Sequence, residues 1–184
     1  MSSGGPEASP GGVADGGAAA GSAPPAPRAP RRLAVLDDPA GDQGLEGPGH
    51  ADLRRVELLD EGAVLRVVVT VGAALPSTPA QGEVIGLGVD LLAAGDGESA
   101  YQLFVDGGSD GWRAYLQTPR GFVDFPGTFA LGGTRIEVRV PWSALGDPVG
   151  GPVSAFLDWS LARPVLNAAS RDRAPDRGSA TFRR

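Results

Sequence analysis

Apolar and polar positions alternate along most of this chain with a period of two. In "RIEVRV" (135–140), Ile136, Val138 and Val140 fall on one side and Arg135, Glu137 and Arg139 on the other. "AVLRVVVTV" (63–71) places Leu65, Val67, Val69 and Val71 on one face, with Arg66, Val68 and Thr70 opposite. "VSAFLDWSL" (153–161) aligns Val153, Ala155, Leu157, Trp159 and Leu161, which makes Trp159 a core residue. A strand sends successive side chains to opposite faces, so these segments predict strands with one face buried. "YQLFV" and "WRAYLQT" flank "DGGSDG", whose turn formers predict a hairpin, and "DEG" joins "LRRVELL" (53–59) to the strand that follows. "EVIGLGVDLL" (83–92) and "GFVDFPGTFAL" (121–131) are further candidates. No window sustains a 3.6-residue period over three turns. "PWSALG" (141–146), with Pro first and Gly last, is long enough for one helical turn. About eight to ten short strands with frequent turns predict an all-β protein. The sheet must fold over to bury its apolar faces, giving an antiparallel, jelly-roll-like β-sandwich, with a closed barrel as the alternative.

The first thirty residues break the pattern. "MSSGGPEASPGGVADGGAAAGSAPPAPRAP" is almost entirely Gly, Ala, Ser and Pro, and Val13 is its one large aliphatic after Met1. Such a segment buries too little to offset the entropy of ordering it. Residues 1–30 are therefore expected to be a disordered linker and residues 31–184 the folded module.

Composition narrows the chemistry. The chain has 184 residues with a formal charge of −6, which disfavours nonspecific binding to nucleic acid or an anionic membrane. All 16 basic residues are arginine, a bias associated with GC-rich bacterial genomes. Without cysteine there is no disulfide, thiolate metal site or thiol catalysis. No apolar run has the length of a membrane span, and the N-terminus shows no basic region followed by an apolar stretch, so no secretion signal is recognised.

One loop carries candidate chemistry. "LDDPAGDQGLEGPGHADL" (36–53) places Asp37, Asp38 and Asp42 within six positions among glycines and prolines, and Asp52 where the next strand begins. Calcium takes hard oxygen ligands in irregular geometry, so Asp38, Asp42 and Asp52 form a candidate calcium site. The alternative is an exposed loop whose aspartates make Asx-turns. Asp106 and Asp110 are explained by the hairpin turn that contains them.

Catalysis finds little support, and the chain reads as a non-enzyme. His50 is the single histidine, so neither a histidine-rich metal site nor a Ser–His–Asp arrangement is readable. "GLGVD" (86–90) lies inside a strand and lacks the helix that a phosphate-binding loop requires. Aromatic residues near strand ends suggest sugar binding, because the C–H face of a pyranose packs on a π-surface. Trp112 and Tyr115 are the candidates. They fall on opposite faces of one strand, so one of them must face away from the core.

Two segments carry a family resemblance. "DPAGDQGLEGPGHADLRRVEL" followed by "AVLRVVVTV" resembles the opening of DOMON-like β-sandwich modules related to the glucodextranase C-terminal domain. Asp38, Pro39, Gly41, Asp42, Gly44, Asp52 and Leu53 match that opening, though the aromatics usual between Gly44 and Asp52 are missing. "RIEVRVPWSALG" is similar to the strand-then-turn signature of family 9 carbohydrate-binding modules. The resemblance implies a non-catalytic binding module for a polysaccharide or cell-surface glycan. It also implies calcium as the one expected cofactor, and an extracellular or cell-surface setting. From a different class, the alternative is a structural or protein-interaction sandwich with no small-molecule ligand. A haem module would need an axial ligand, and His50 and Met1 are the only candidates.

Overall fold

The computed structural model describes Met1 and residues 29–43, 47–93, 99–162 and 168–184. The expected linker lies almost wholly outside the described residues. The rest is an all-β sandwich of two antiparallel sheets. Its strands are β1 (Arg31–Asp37), β2 (Leu53–Asp60), β3 (Val64–Val71), β4 (Glu83–Ala93), β5 (Ser99–Gly108) and β6 (Gly111–Thr118). They continue with β7 (Gly121–Asp124), β8 (Thr128–Gly132), β9 (Arg135–Pro141), β10 (Gly150–Leu161), β11 (Ala168–Ala174) and β12 (Ala180–Arg183).

The five-stranded sheet has the order β1-β2-β3-β9-β8. The seven-stranded sheet runs β11-β10-β4-β5-β6-β7, with β12 pairing the start of β10. The alternation read from the sequence selects the buried faces. Ile136, Val138 and Val140 of β9 are buried, as are Leu65, Val67, Val69 and Val71 of β3. From the other sheet come Ile85, Leu87, Val89 and Leu91 of β4 and Val153, Ala155, Leu157 and Trp159 of β10. Trp159 is only 5% exposed. The hairpin at "DGGSDG" is tighter than its composition suggests. Pairing continues to Gly108↔Gly111, leaving Ser109 and Asp110 as the turn. "GFVDFPGTFAL" breaks into β7 and β8 in different sheets, with Pro126 and Gly127 between them. "PWSALG" holds one 3₁₀ turn, Trp142–Leu145, closed by Gly146 at φ 73°. No described helix is long and apolar enough to cross a membrane.

Candidate functional site

Two places in this sandwich depart from ordinary surface, and both are built by register.

The first is a cluster of carboxylates at one end of the sandwich. Asp38 follows β1, Asp42 lies in the loop, Asp52 precedes β2, Asp172 sits in β11 and Asp176 follows it. The oxygens of Asp38, Asp42 and Asp176 lie within 4.8 Å of one another, and so do those of Asp42, Asp52 and Asp172. Asp42 belongs to both groups, so of the three residues picked from the sequence Asp38 and Asp52 each meet Asp42; Asp172 of β11 and Asp176 just after it complete the two groups.

Each carboxylate is held differently. Asp52, 2% exposed, accepts the Gly41 N–H at 3.3 and 3.2 Å and pairs with Arg54 at 2.5 Å, which folds the loop back on itself. Asp172, 4% exposed, stands opposite Leu157 on the core side of β11. It accepts the N–H of Leu53 at 2.7 Å and of Arg173 at 2.8 Å, so one carboxylate joins the two sheets. Burial raises its pKa, against the pull of those two N–H groups. Asp38 has neither kind of support. Both its oxygens are buried and, among the described residues, accept no hydrogen bond from an N–H group or hydroxyl. Burial, then the charges of Asp172 and Asp42, push its carboxyl from 3.8 up to about 8. Beside the cluster, Gln43 Oε1 and Ser170 Oγ are also buried without partners among the described residues, and both side chains border Gly47.

The second place is the outer face of the seven-stranded sheet. Pairing sets Phe156, Gly88, Phe104 and Tyr115 in one row across β10, β4, β5 and β6. The next row holds Asp158, Gly86, Asp106 and Arg113. The Phe104 and Tyr115 rings stack at 4.7 Å between centroids, and Phe156 and Phe122 approach Phe104 at 6.3 and 6.2 Å. Gly88 is needed where it stands, since a Cβ there would run into the Phe156 ring. Gly86 leaves a trough between the two aspartates. Of these residues, Gly86, Phe104, Asp106, Tyr115, Phe156 and Asp158 line an open groove of about 590 Å³, joined by Arg171 of β11.

The polar groups of the groove are unequally engaged. Arg171 donates Nε and Nη2 to both oxygens of Asp158, at 2.5 and 2.7 Å, and its guanidinium lies 5.6 Å from the Phe156 centroid. Asp106 Oδ2 accepts the Tyr115 hydroxyl at 2.7 Å. Burial first, and that hydrogen bond next, raise the Tyr115 phenol to about 12, so it stays a donor. Asp106 Oδ1 is turned over the Gly86 floor.

Of the two aromatic candidates, Tyr115 lines this groove and Trp112 does not. Trp112 pairs with Gly107 on the core-facing side, packs against the core, and donates its indole N–H to the Pro76 carbonyl at 3.0 Å. It borders an adjoining recess of about 280 Å³ that shares Val84 and Asp106 with the groove. The sequence does not single out Phe104, Phe156, Asp158 or Arg171, and Asp106, which composition assigns to the hairpin turn, instead lies within β5 opposite Arg113 because pairing continues past it to Gly108. The one available signal was the pair of glycines in "GLGVD", which marks a strand that something approaches closely.

Compared with protein-family models, curated proteins and solved structures, the chain matches none.

Proposed function

We propose that this chain is a non-catalytic binding module that takes a carbohydrate in the groove of the seven-stranded sheet. The observation that carries the reading is the row of aromatic rings left on a solvent-facing sheet beside a trough floored by glycine. An apolar surface flanked by a few placed polar groups suits a pyranose, which has C–H faces and a rim of hydroxyls. Tyr115 and Phe104 supply the surface, and Asp106 accepts from the rim. The resemblance to carbohydrate-binding sandwiches points the same way. Calorimetric titration with a panel of polysaccharides should release heat with at least one of them. Tyr115→Ala should abolish that response while lowering the melting midpoint by only a few degrees. No response across a broad glycan array at high protein concentration would end the sugar reading.

We further propose that the acidic cluster holds calcium. The support is Asp38: its buried oxygens face other carboxylates and, among the described residues, no N–H or hydroxyl donor, so its ionised form is costly without a countercharge. The donor set is all hard oxygen, which fits calcium. Asp38, Asp42 and Asp176, with Asp52 and Asp172 on the inner side, would hold it. The bound cation supplies the positive charge, and the chain's part is to tie the β1–β2 loop to β11.

A different class of reading has its own observation. Phe122 is 66% and Val123 44% exposed on the edge strand β7, which suits strand addition by a protein partner. Phe122→Ser with Val123→Thr would remove such a partner and leave a glycan response reduced but present.

A further inference from the structure

The groove's charge pattern bears on which carbohydrate it accepts, an inference that rests on the sugar-binding reading above. Two carboxylates flank Gly86, and they differ in kind. Both oxygens of Asp158 are taken by Arg171, so that pair offers a ligand little net charge. Asp106 makes no ion pair among the described residues. Arg113 stands across the β5–β6 pair from it, but is exposed and unpaired with it. The one hydrogen bond Asp106 does receive comes from the uncharged Tyr115 hydroxyl and occupies Oδ2. Oδ1 is left over the trough, 3.5 Å from where a side chain on Gly86 would begin. On this face Asp106 therefore has the Gly86 floor on its β4 side and the exposed Arg113 on its β6 side, with the aromatic rings on the adjoining row.

We propose that Asp106 makes the groove selective for glycans bearing free amino groups over neutral ones, and for neutral glycans over anionic ones. A vicinal diol is best met by both oxygens of a carboxylate, and here one is already in use. A single charged donor is what the remaining oxygen pairs with best, by a charge-assisted hydrogen bond in a partly dehydrated site. The rings beside it favour the same ligand, since the edge of a sugar that carries an ammonium is attracted to an aromatic face. A uronate or sulfate would set its charge against Asp106, and Arg171 is too engaged with Asp158 to compensate. Such a hydrogen bond corresponds to roughly a ten- to hundredfold preference.

The test uses the full chain and four β-1,4-linked oligosaccharides of equal length, built from glucosamine, N-acetylglucosamine, glucose or a uronic acid. Affinities are measured by calorimetry at mildly acidic pH, where the sugar amine is protonated. Wild type should bind the glucosamine oligomer about tenfold or more tightly than the glucose one, and the uronate least. Asp106→Asn keeps an acceptor for Tyr115 and should level the series. Asp110→Asn removes the same formal charge from the exposed hairpin turn and should leave the preference intact. A preference lost equally in both variants would mean a general attraction between a polycation and an acidic protein, and would overturn the assignment. Equal binding of the glucosamine and glucose oligomers by wild type, or a preference surviving in Asp106→Asn, would overturn it too, with the sugar-binding reading still standing. If wild type binds none of the four, and no other glycan, that reading falls as well.

Discussion

The two sheets of this sandwich turn opposite kinds of surface outward. The outer face of the five-stranded sheet is a lattice of paired charges. Arg66 reaches Glu61 at 3.2 Å and Glu137 at 2.7 Å, Arg139 reaches the same two acids, and Arg55 joins Asp37 at 2.5 Å and Glu57 at 3.3 Å. Val68, the apolar residue between Glu57 and Glu137 on that face, is 2% exposed beneath these side chains. Long charged side chains cover apolar surface with their stems while their heads stay in water. Among the described residues, the outer face of the seven-stranded sheet has a charged side chain over one ring only, Arg171 over Phe156. Its rings lie against one another around Gly88, and Phe122 is left in solvent. A face whose charges satisfy each other is finished as it stands, whereas one with uncovered rings and a free carboxylate oxygen is suited to contact.

The largest expected effect serves as the reference for that contrast. Leu87→Ala, in the core beneath the groove, should cost about 2–5 kcal/mol by denaturant unfolding, as a buried leucine truncated among packed neighbours does. Tyr115→Ala, on the outer face of the same sheet, should cost only ~1–2 kcal/mol, the scale of its ring contacts, yet abolish glycan binding. Comparable stability losses at the two positions would mean that the rings are a second core, and the contrast between the faces would break.

Next in size is calcium. At 100 to 1,000 times Kd it should add roughly 2.7–4.1 kcal/mol, because it binds the folded chain and hardly the unfolded one. That corresponds to a rise of several degrees in melting midpoint, at about 2–4 °C per kcal/mol for a chain of this size. Chelator should reverse the rise and magnesium should substitute poorly. The pH dependence in chelator has a definite sign. The folded Asp38 carboxyl lies at about 8, above its unfolded value of 3.8. The folded state therefore holds the proton more tightly, and this contribution is full below about pH 4 and lost as pH rises through about 8. The midpoint in chelator should fall between pH 5 and pH 8.5, and Asp38→Asn should flatten the fall and abolish the calcium response. A midpoint indifferent to calcium and chelator at every pH would reduce the cluster to a turn.

Gly88→Ala comes third. The added methyl would occupy the space of the Phe156 ring, which must shift against Phe104 and Arg171 to make room. Glycan affinity should drop by roughly tenfold, or about 1.4 kcal/mol, with a smaller change in stability. The smallest effect belongs to the other face. Glu61→Ala removes two ion-pair contacts, and should cost no more than ~1 kcal/mol, less in high salt, with no change in binding. An effect on binding from that side would show that the two faces are coupled through the core.

The alternation of apolar residues determined most of the fold, because a strand with one face buried must repeat every second position, and that repeat survives in the sequence. It also determined that Trp112 and Tyr115 point in opposite directions. Which of them faces out depended on β5 and β4 lying alongside, since only the pairing of Ala114 with Val105 and Leu116 with Leu103 marks the side that Trp112 shares as the core. β1 was hidden because its pairing shifts between Arg32 and Ala34, which interrupts the period. "SRDRAPDRG" reads as plain polar surface, so nothing local marked Asp172 for burial. That came from β11 pairing with β10, which turns Asp172 inward opposite Leu157 and within reach of the Leu53 N–H on the other sheet. The groove has the same origin. Phe104, Tyr115 and Phe156 occupy unremarkable outward positions in three strands, and only the sheet's register sets them side by side. Periodicity is a property of one segment and can be read along the chain, whereas both candidate sites depend on contacts between segments far apart in sequence, which only the tertiary structure decides.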